Sequence, residues 1–218
     1  MVFARLIFAV VISGALIFGT GSQASEIPLP ELPVNYLQLP IVRQANDYSC
    51  GPAALLSVLN YWQAYEGTEA SLYRLLQTTK KDGTEPTKLV AVAKKFGLEA
   101  EMRDRLEVKD LREALDRGDT VILSLQAWRD EVQKPLPWKD TWDEGHYVVL
   151  IAMDSNYIYV MDPSGPMTYV YVPVEEFIER WHDFEDRHGY VWKYQHLGVI
   201  IRGKKSNKKF PGELARMG

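Results

Sequence analysis

Cysteine is close to absent: 218 residues carry one, Cys50. A single cysteine cannot close an internal disulfide, so it serves as a packed thiol, an intermolecular bridge or a reactive group. Positive charge is also in short supply. The 25 lysines and arginines stand against 29 aspartates and glutamates, a formal net charge of −4. No basic stripe interleaved with aromatics appears, so nucleic acid is not an expected partner. Four histidines confine any imidazole chemistry to His146, His182, His188 and His196. Repeats and low-complexity tracts are missing, which excludes solenoid and fibrous architectures. What remains is 46% apolar and 25% charged, the make-up of one domain with a sizeable core.

The first residues stand apart from that domain. Arg5 gives a charged start, Leu6 to Phe18 is an apolar stretch too short for a comfortable bilayer span, and Ser22-Gln23-Ala24 supplies small residues for a cut before Ser25. Residues 1–24 therefore read as an export signal, and the mature protein is expected to be periplasmic or secreted, without a stable membrane span. An uncleaved N-terminal anchor is the alternative. No cysteine follows the cut, so a lipid anchor is not indicated.

Residues 25–40 hold several prolines and leucines and read as an extended lead-in lying across the domain. The domain itself is expected over 41–202. Apolar spacing predicts helices over Cys50–Ala64, Glu69–Thr78 (capped by Thr68), Glu85–Phe96 and Val108–Arg117, with a short strand over Leu98–Arg103. After Gly118 the pattern turns to strands: Thr120–Ala127, His146–Met153, Tyr157–Met161 and Thr168–Val172. A short helix, Val174–Trp181, and a closing strand, Leu197–Ile201, complete the domain. Helices first and an antiparallel sheet after make an α+β arrangement. Residues 203–218 are lysine-rich and read as a basic, frayed tail. The long connection carrying Trp128, Trp138 and Trp142 reads equally as a pocket rim or as a surface loop pinned by its indoles.

Cys50 falls at the start of the first helix, followed by Gly51 and Pro52. Proline is tolerated there because its missing N–H has no acceptor in the first turn anyway. The positive end of a helix dipole stabilises a thiolate, so a nucleophilic cysteine is the working idea. Such a thiol needs a base and a group that orients it. His146 opens an apolar strand after Gly145, where a sheet can aim it. The hairpin that follows brings its outer ends together and makes Asp162 the neighbour of His146, whereas Asp154 lies at the far turn. The backbone N–H of Cys50 and the side chain of Gln44 are candidates to stabilise an oxyanion. His182 and His188, in a run of charges, match no metal-site spacing and read as a solvated polar face. No metal or cofactor is expected.

Gln44-x5-Cys50-Gly51-Pro52-Ala53-Ala54-Leu55, then Gly145-His146-Tyr147-Val148-Val149-Leu150, then Asp162-Pro163, resembles the bacteriocin-processing double-glycine peptidases, which are papain-like cysteine peptidases. The resemblance runs from about residue 38 to 201. It implies a papain-like fold with N-terminal helices packed on a C-terminal sheet. It also implies Cys50 as nucleophile, His146 as base, Asp162 as its orienter and Gln44 in the oxyanion hole. Ser49 departs from the aspartate that family members often carry before the cysteine. The expected substrate is an exported protein or peptide in the cell envelope, cut at a Gly-Gly or Gly-Ala type site. An acyltransferase of transglutaminase or phytochelatin-synthase type would use the same residues, and a non-catalytic binding module could keep the fold.

Overall fold

The apolar run after His146 forms the centre of the molecule. In this computed structural model, which describes residues 30–129, 136–165, 169–187, 189–204 and 210–217, strand β3 (Gly145–Met153) is buried from His146 to its end. A strand buried on both faces needs no polar alternation. Tyr147, Val149 and Ile151 join one apolar cluster, while Val148 and Leu150 join the other. The expected export signal and His188 lie outside the described residues.

Seven strands make the main sheet: β1 (Glu99–Arg103), β2 (Thr120–Gln126), β3, β4 (Tyr157–Met161), β5 (Tyr169–Pro173), β8 (Gly198–Arg202) and β9 (Leu214–Arg216). Their order across the sheet is β1-β8-β2-β3-β4-β5-β9. Every pairing is antiparallel except β5 with β9. Between β3 and β4 the register slips at Leu150 to Ala152, leaving Ile151 as one extra residue on β3. Its carbonyl is taken by the backbone N–H of Leu37 at 2.8 Å, so the lead-in satisfies the group that the bulge frees.

Helices α1 (Cys50–Tyr61), α2 (Glu69–Leu76) and α3 (Pro86–Lys95) cover one face of the sheet, and α4 (Val108–Asp116) and α5 (Val174–Arg180) cover the other. α1 is buried without interruption from Gly51 to Leu59, the mark of a central helix. Burying Leu55 and Leu59 alone contributes about 2 kcal/mol each. α2 starts as expected at Thr68, whose N–H is accepted by Ser71 Oγ at 3.2 Å. In α4, Asp110 Oδ2 accepts the Glu107 N–H at 2.7 Å. The α+β expectation holds, with helices on both faces of the sheet rather than on one.

Two stretches differ from expectation. The charged run expected to be a solvated face is strand β6 (His182–Arg187), paired antiparallel with β7 (Tyr190–Gln195) in a separate two-stranded sheet. His182 and Glu185 are buried and Phe184 is exposed, so the pattern is inverted: polar side chains point in. The tail expected to fray from Gly203 instead places β9 along β5, with Met217 buried against the α4/α5 side. Its apolar residues are sparse, and only the exposed β5 edge gives them a partner. The lead-in has no regular structure over the described residues from 30, yet Leu39 is fully buried and Tyr36 packs edge-on against Tyr169.

Candidate active site

A short turn sets the start of α1. Ser49 donates its N–H to Asn46 O at 3.2 Å, and its buried hydroxyl bonds the same carbonyl at 3.0 Å. Serine thus closes this turn. Cys50 follows as the first helical residue, half-buried. Its N–H belongs to the first turn, where helix donors have no intrahelical acceptor. Gly51 is required for close packing: a Cβ there would sit 2.7 Å from Thr84 Cβ.

His146 lies at the beginning of β3, 6% exposed, and Asp162 is the first residue past β4, 1% exposed. The ring Nε2 and Asp162 Oδ1 are 2.7 Å apart. Against a carboxylate the nitrogen must carry the proton, so Nε2–H donates. Cys50 lies near enough for its sulfur to favour the charged ring. Burial disfavours the imidazolium. The charge and hydrogen bond of Asp162, with Cys50 adding to them, overturn that effect, and His146 is pushed up to about 10. Burial pushes the Asp162 carboxyl up in turn. The charge and hydrogen bond of His146, with N–H donation from Ser164 and Trp128, outweigh that and hold it below the usual carboxylate range.

Gln44 reaches the same corner by another route. Its backbone N–H donates to Pro163 O at 3.0 Å, its Oε1 accepts from Ser164 Oγ at 2.7 Å, and its Nε2 donates to Asn46 O at 2.8 Å. These bonds tie the segment before Cys50 to the turn after Asp162. One of the two Nε2 protons is used at Asn46.

A cleft of about 410 Å³ opens over Cys50, lined among others by Tyr48, Thr84, Trp142, Gly145 and Asp183. The three tryptophans of the long connection have three different positions. Trp142 faces the cleft and packs tilted against His182, their ring centres 4.4 Å apart. Trp138 is buried between the guanidinium groups of Arg129 and Arg180, 3.7 and 3.5 Å from its ring centre, and is no part of the rim. Trp128 donates its indole N–H to Asp162 Oδ2 at 2.8 Å.

Sequence reasoning missed Asp183, which it assigned to a solvated face. Asp183 accepts from Ser124 Oγ at 2.6 Å and from its neighbour's backbone N–H at 2.8 Å, and it stands at the cleft wall. Burial pushes its carboxyl up to about 6 against the pull of these donors and of His146. It also missed the Trp128 bond. Asp162-Pro163-Ser164 is a turn sequence in which the Asp side chain accepts from the Ser N–H two residues on, as it does at 2.7 Å. His182 has its Nε2 on Thr141 O at 2.6 Å. Among the described residues no group of three or more His, Cys, Asp or Glu is arranged to hold a metal ion, and no helix is long and apolar enough to cross a membrane.

Residues 38–184 match the Peptidase C39 family. Among sequence relatives, uncharacterized proteins of Methanothermobacter marburgensis and Methanothermobacter thermautotrophicus are each 31% identical over 124 residues, covering 57% of this chain and 71% of theirs. Among solved structures, the peptidase domain of Streptococcus ComA, a bi-functional ABC transporter of a quorum-sensing pathway, superposes with a TM-score of 0.55 at 22% identity, covering 77% of this chain and 99% of that domain. A C39-like peptidase from Bacillus anthracis gives 0.53 at 18% identity, covering 78% and 97%. A double glycine motif protease from an AMS/PCAT transporter, solved with its leader peptide, gives 0.51 at 19% identity, covering 78% and 94%. These structures share the fold.

Proposed function

From the premise that this chain belongs to the Peptidase C39 family and is a cysteine peptidase, we propose that Cys50, His146 and Asp162 are its catalytic residues, that Gln44 serves the oxyanion, and that it cuts an exported protein or peptide after a Gly-Gly or Gly-Ala type site. The observation that carries the reading is the His146–Asp162 bond of 2.7 Å, with Cys50 near enough to favour the charged ring. Three groups in that order are what a thiol nucleophile needs.

The raised His146 rests as the imidazolium, and the Cys50 sulfur reacts in its thiolate form. The sulfur attacks the scissile carbonyl carbon, and the carbonyl electron pair moves to oxygen. The Cys50 N–H, at the positive end of α1, and the second amide proton of Gln44 bind that oxyanion. As the C–N bond breaks, the proton on Nδ1 of His146 passes to the leaving amine, and an acyl–Cys50 thioester remains. Water then enters, gives one proton to the neutral ring, and releases the carboxylate and the ion pair. Asp162 keeps Nε2–H engaged throughout and so keeps Nδ1 facing the sulfur.

Support for small residues at the cut comes from Trp142 and Tyr48, bulky rings on the wall of the cleft that holds Cys50. The double glycine motif protease among the structural neighbours acts at such a site. Residues 1–24 carry the export reading, which makes the enzyme periplasmic or secreted. A peptide library offered to the mature enzyme, read by mass spectrometry, tests specificity: cuts after paired Gly or Ala support it, and cuts after large or charged residues remove it. An active-site acylating probe should label Cys50, and labelling of another residue would remove the nucleophile assignment. A ligated product formed with added amines would instead reveal an acyltransferase. N-terminal sequencing of the enzyme recovered from cell fractions tests the cut before Ser25.

A further inference from the structure

Asp162 has two carboxylate oxygens, and orienting His146 uses only one of them. Oδ1 takes both the His146 ring and the Ser164 N–H, each at 2.7 Å. Oδ2 takes the indole N–H of Trp128 at 2.8 Å. The Asp162 side chain is fully buried, so bulk water does not stand in for a lost donor.

Trp128 is delivered to that oxygen by its backbone. The β2–β3 ladder ends one step past β2, where Ala127 donates its N–H to Glu144 O at 3.0 Å. Trp128 follows at once with φ of 61°, in the left-handed region that bulky side chains rarely adopt. Arg129, the next residue, lies over buried Trp138 at 3.7 Å. The strained residue is therefore fixed on both sides, and its conformation turns the indole toward the end of β4.

We propose that Trp128 is a positioning residue of the active site: its indole N–H fixes the rotation of the Asp162 carboxylate and thereby the aim of His146. This rests on the reading of Asp162 as the orienter of a Cys50–His146 pair. Two donors converge on Oδ1 and leave the carboxylate plane loosely defined, because the terminal torsion of Asp is broad. A third donor on Oδ2 defines it. Indole nitrogen donates and cannot accept, so the contact also favours the ionised carboxylate.

Trp128→Phe keeps an aromatic ring at the same backbone conformation and removes only the N–H. We expect kcat to fall about tenfold, the scale of one charge-assisted hydrogen bond, with KM little changed. In an Asp162→Ala background the same substitution should change nothing, since its target is gone. In 15N spectra, the Trp128 indole signal should lie downfield in the native protein and move upfield in Asp162→Ala. An equal loss in both backgrounds, a change in KM alone, or an indole signal indifferent to Asp162→Ala would overturn the proposal while leaving the catalytic reading in place. Full turnover in Asp162→Ala would remove the catalytic reading and this proposal with it. Should Trp128→Phe not fold, the indole comparison between the native protein and Asp162→Ala decides.

Discussion

Two hairpins meet at the cleft, and they are built on opposite plans. The β3–β4 hairpin is apolar on both faces, central in the sheet, and carries His146 and Asp162 at its outer end. The β6–β7 hairpin is charged, makes its own two-stranded sheet, and exposes Phe184, Tyr190, Val191 and Trp192. It meets the cleft through Asp183, Phe184 and Glu185. The first plan gives rigidity, because every residue is held by neighbours on both sides of the sheet. The second gives a wall whose chemistry can vary without disturbing the core. On the proposed reading, geometry of reaction belongs to one hairpin and access to the other.

The largest effect expected from breaking this division is in the rigid hairpin. His146→Ala should lower kcat about ten-thousandfold or more while leaving the circular dichroism spectrum near that of the native protein. Substantial residual turnover would move the base to another histidine. Gln44→Ala comes next, with a loss of about a hundredfold in kcat, the scale of one oxyanion donor. A drop in thermal stability with kcat retained would instead reduce Gln44 to its bonds with Ser164 and Asn46.

The raised imidazole makes a prediction about pH. The protonated ring donates to the leaving amine, so the alkaline limb of kcat/KM should fall toward pH 10, not near 6.5, by about tenfold per unit beyond it. The same shift links to folding: the protonated ring contributes its full stability below about pH 6.5, and the contribution is lost as pH rises through about 10. Denaturant midpoints of the native protein and of His146→Ala should converge across that window. A limb near neutrality would mean that the carboxylate does not hold the proton.

Smaller effects belong where the hairpins touch. A Cβ on residue 145 would fall 2.6 Å from Asp183 Oδ1, so Gly145→Ala should press β6 away from β3 and lower kcat about tenfold. Relief of that defect by Asp183→Ala would confirm the contact as its cause. Trp142→Ala should change KM a few-fold and broaden the residues accepted beside the cut, with kcat for the best peptide nearly unchanged. If instead kcat falls and specificity holds, the wall and the machinery are not separate.

Much of the rigid plan is legible from residues alone. The apolar run after His146 and the turn residues Asp154-Ser155-Asn156 are enough to pair His146 with Asp162, while the place of Cys50 beside them is what the family resemblance implies. The second plan is not legible, for a physical reason. His182-Asp183-Phe184-Glu185-Asp186 carries no β-branched residue and points its polar groups inward, onto Ser124 and Tyr194. Only tertiary partners make such a strand. The bond from Trp128 to Asp162 is hidden likewise, since it depends on a left-handed tryptophan that no local signal announces.

The single extra residue in β3 has a consequence for heredity. The ladder keeps its alternation on either side of Ile151, with Val149 opposite Met161 and Ala152 opposite Tyr159, so the extra residue is accommodated without turning His146 to the other face. Loss of that one codon would leave an unbroken ladder with His146 still facing Asp162, and would remove the carbonyl that the Leu37 N–H uses. Along the lineage of this protein, loss of residue 151 should thus be absorbed by the hairpin and felt in the lead-in, whose anchor it removes.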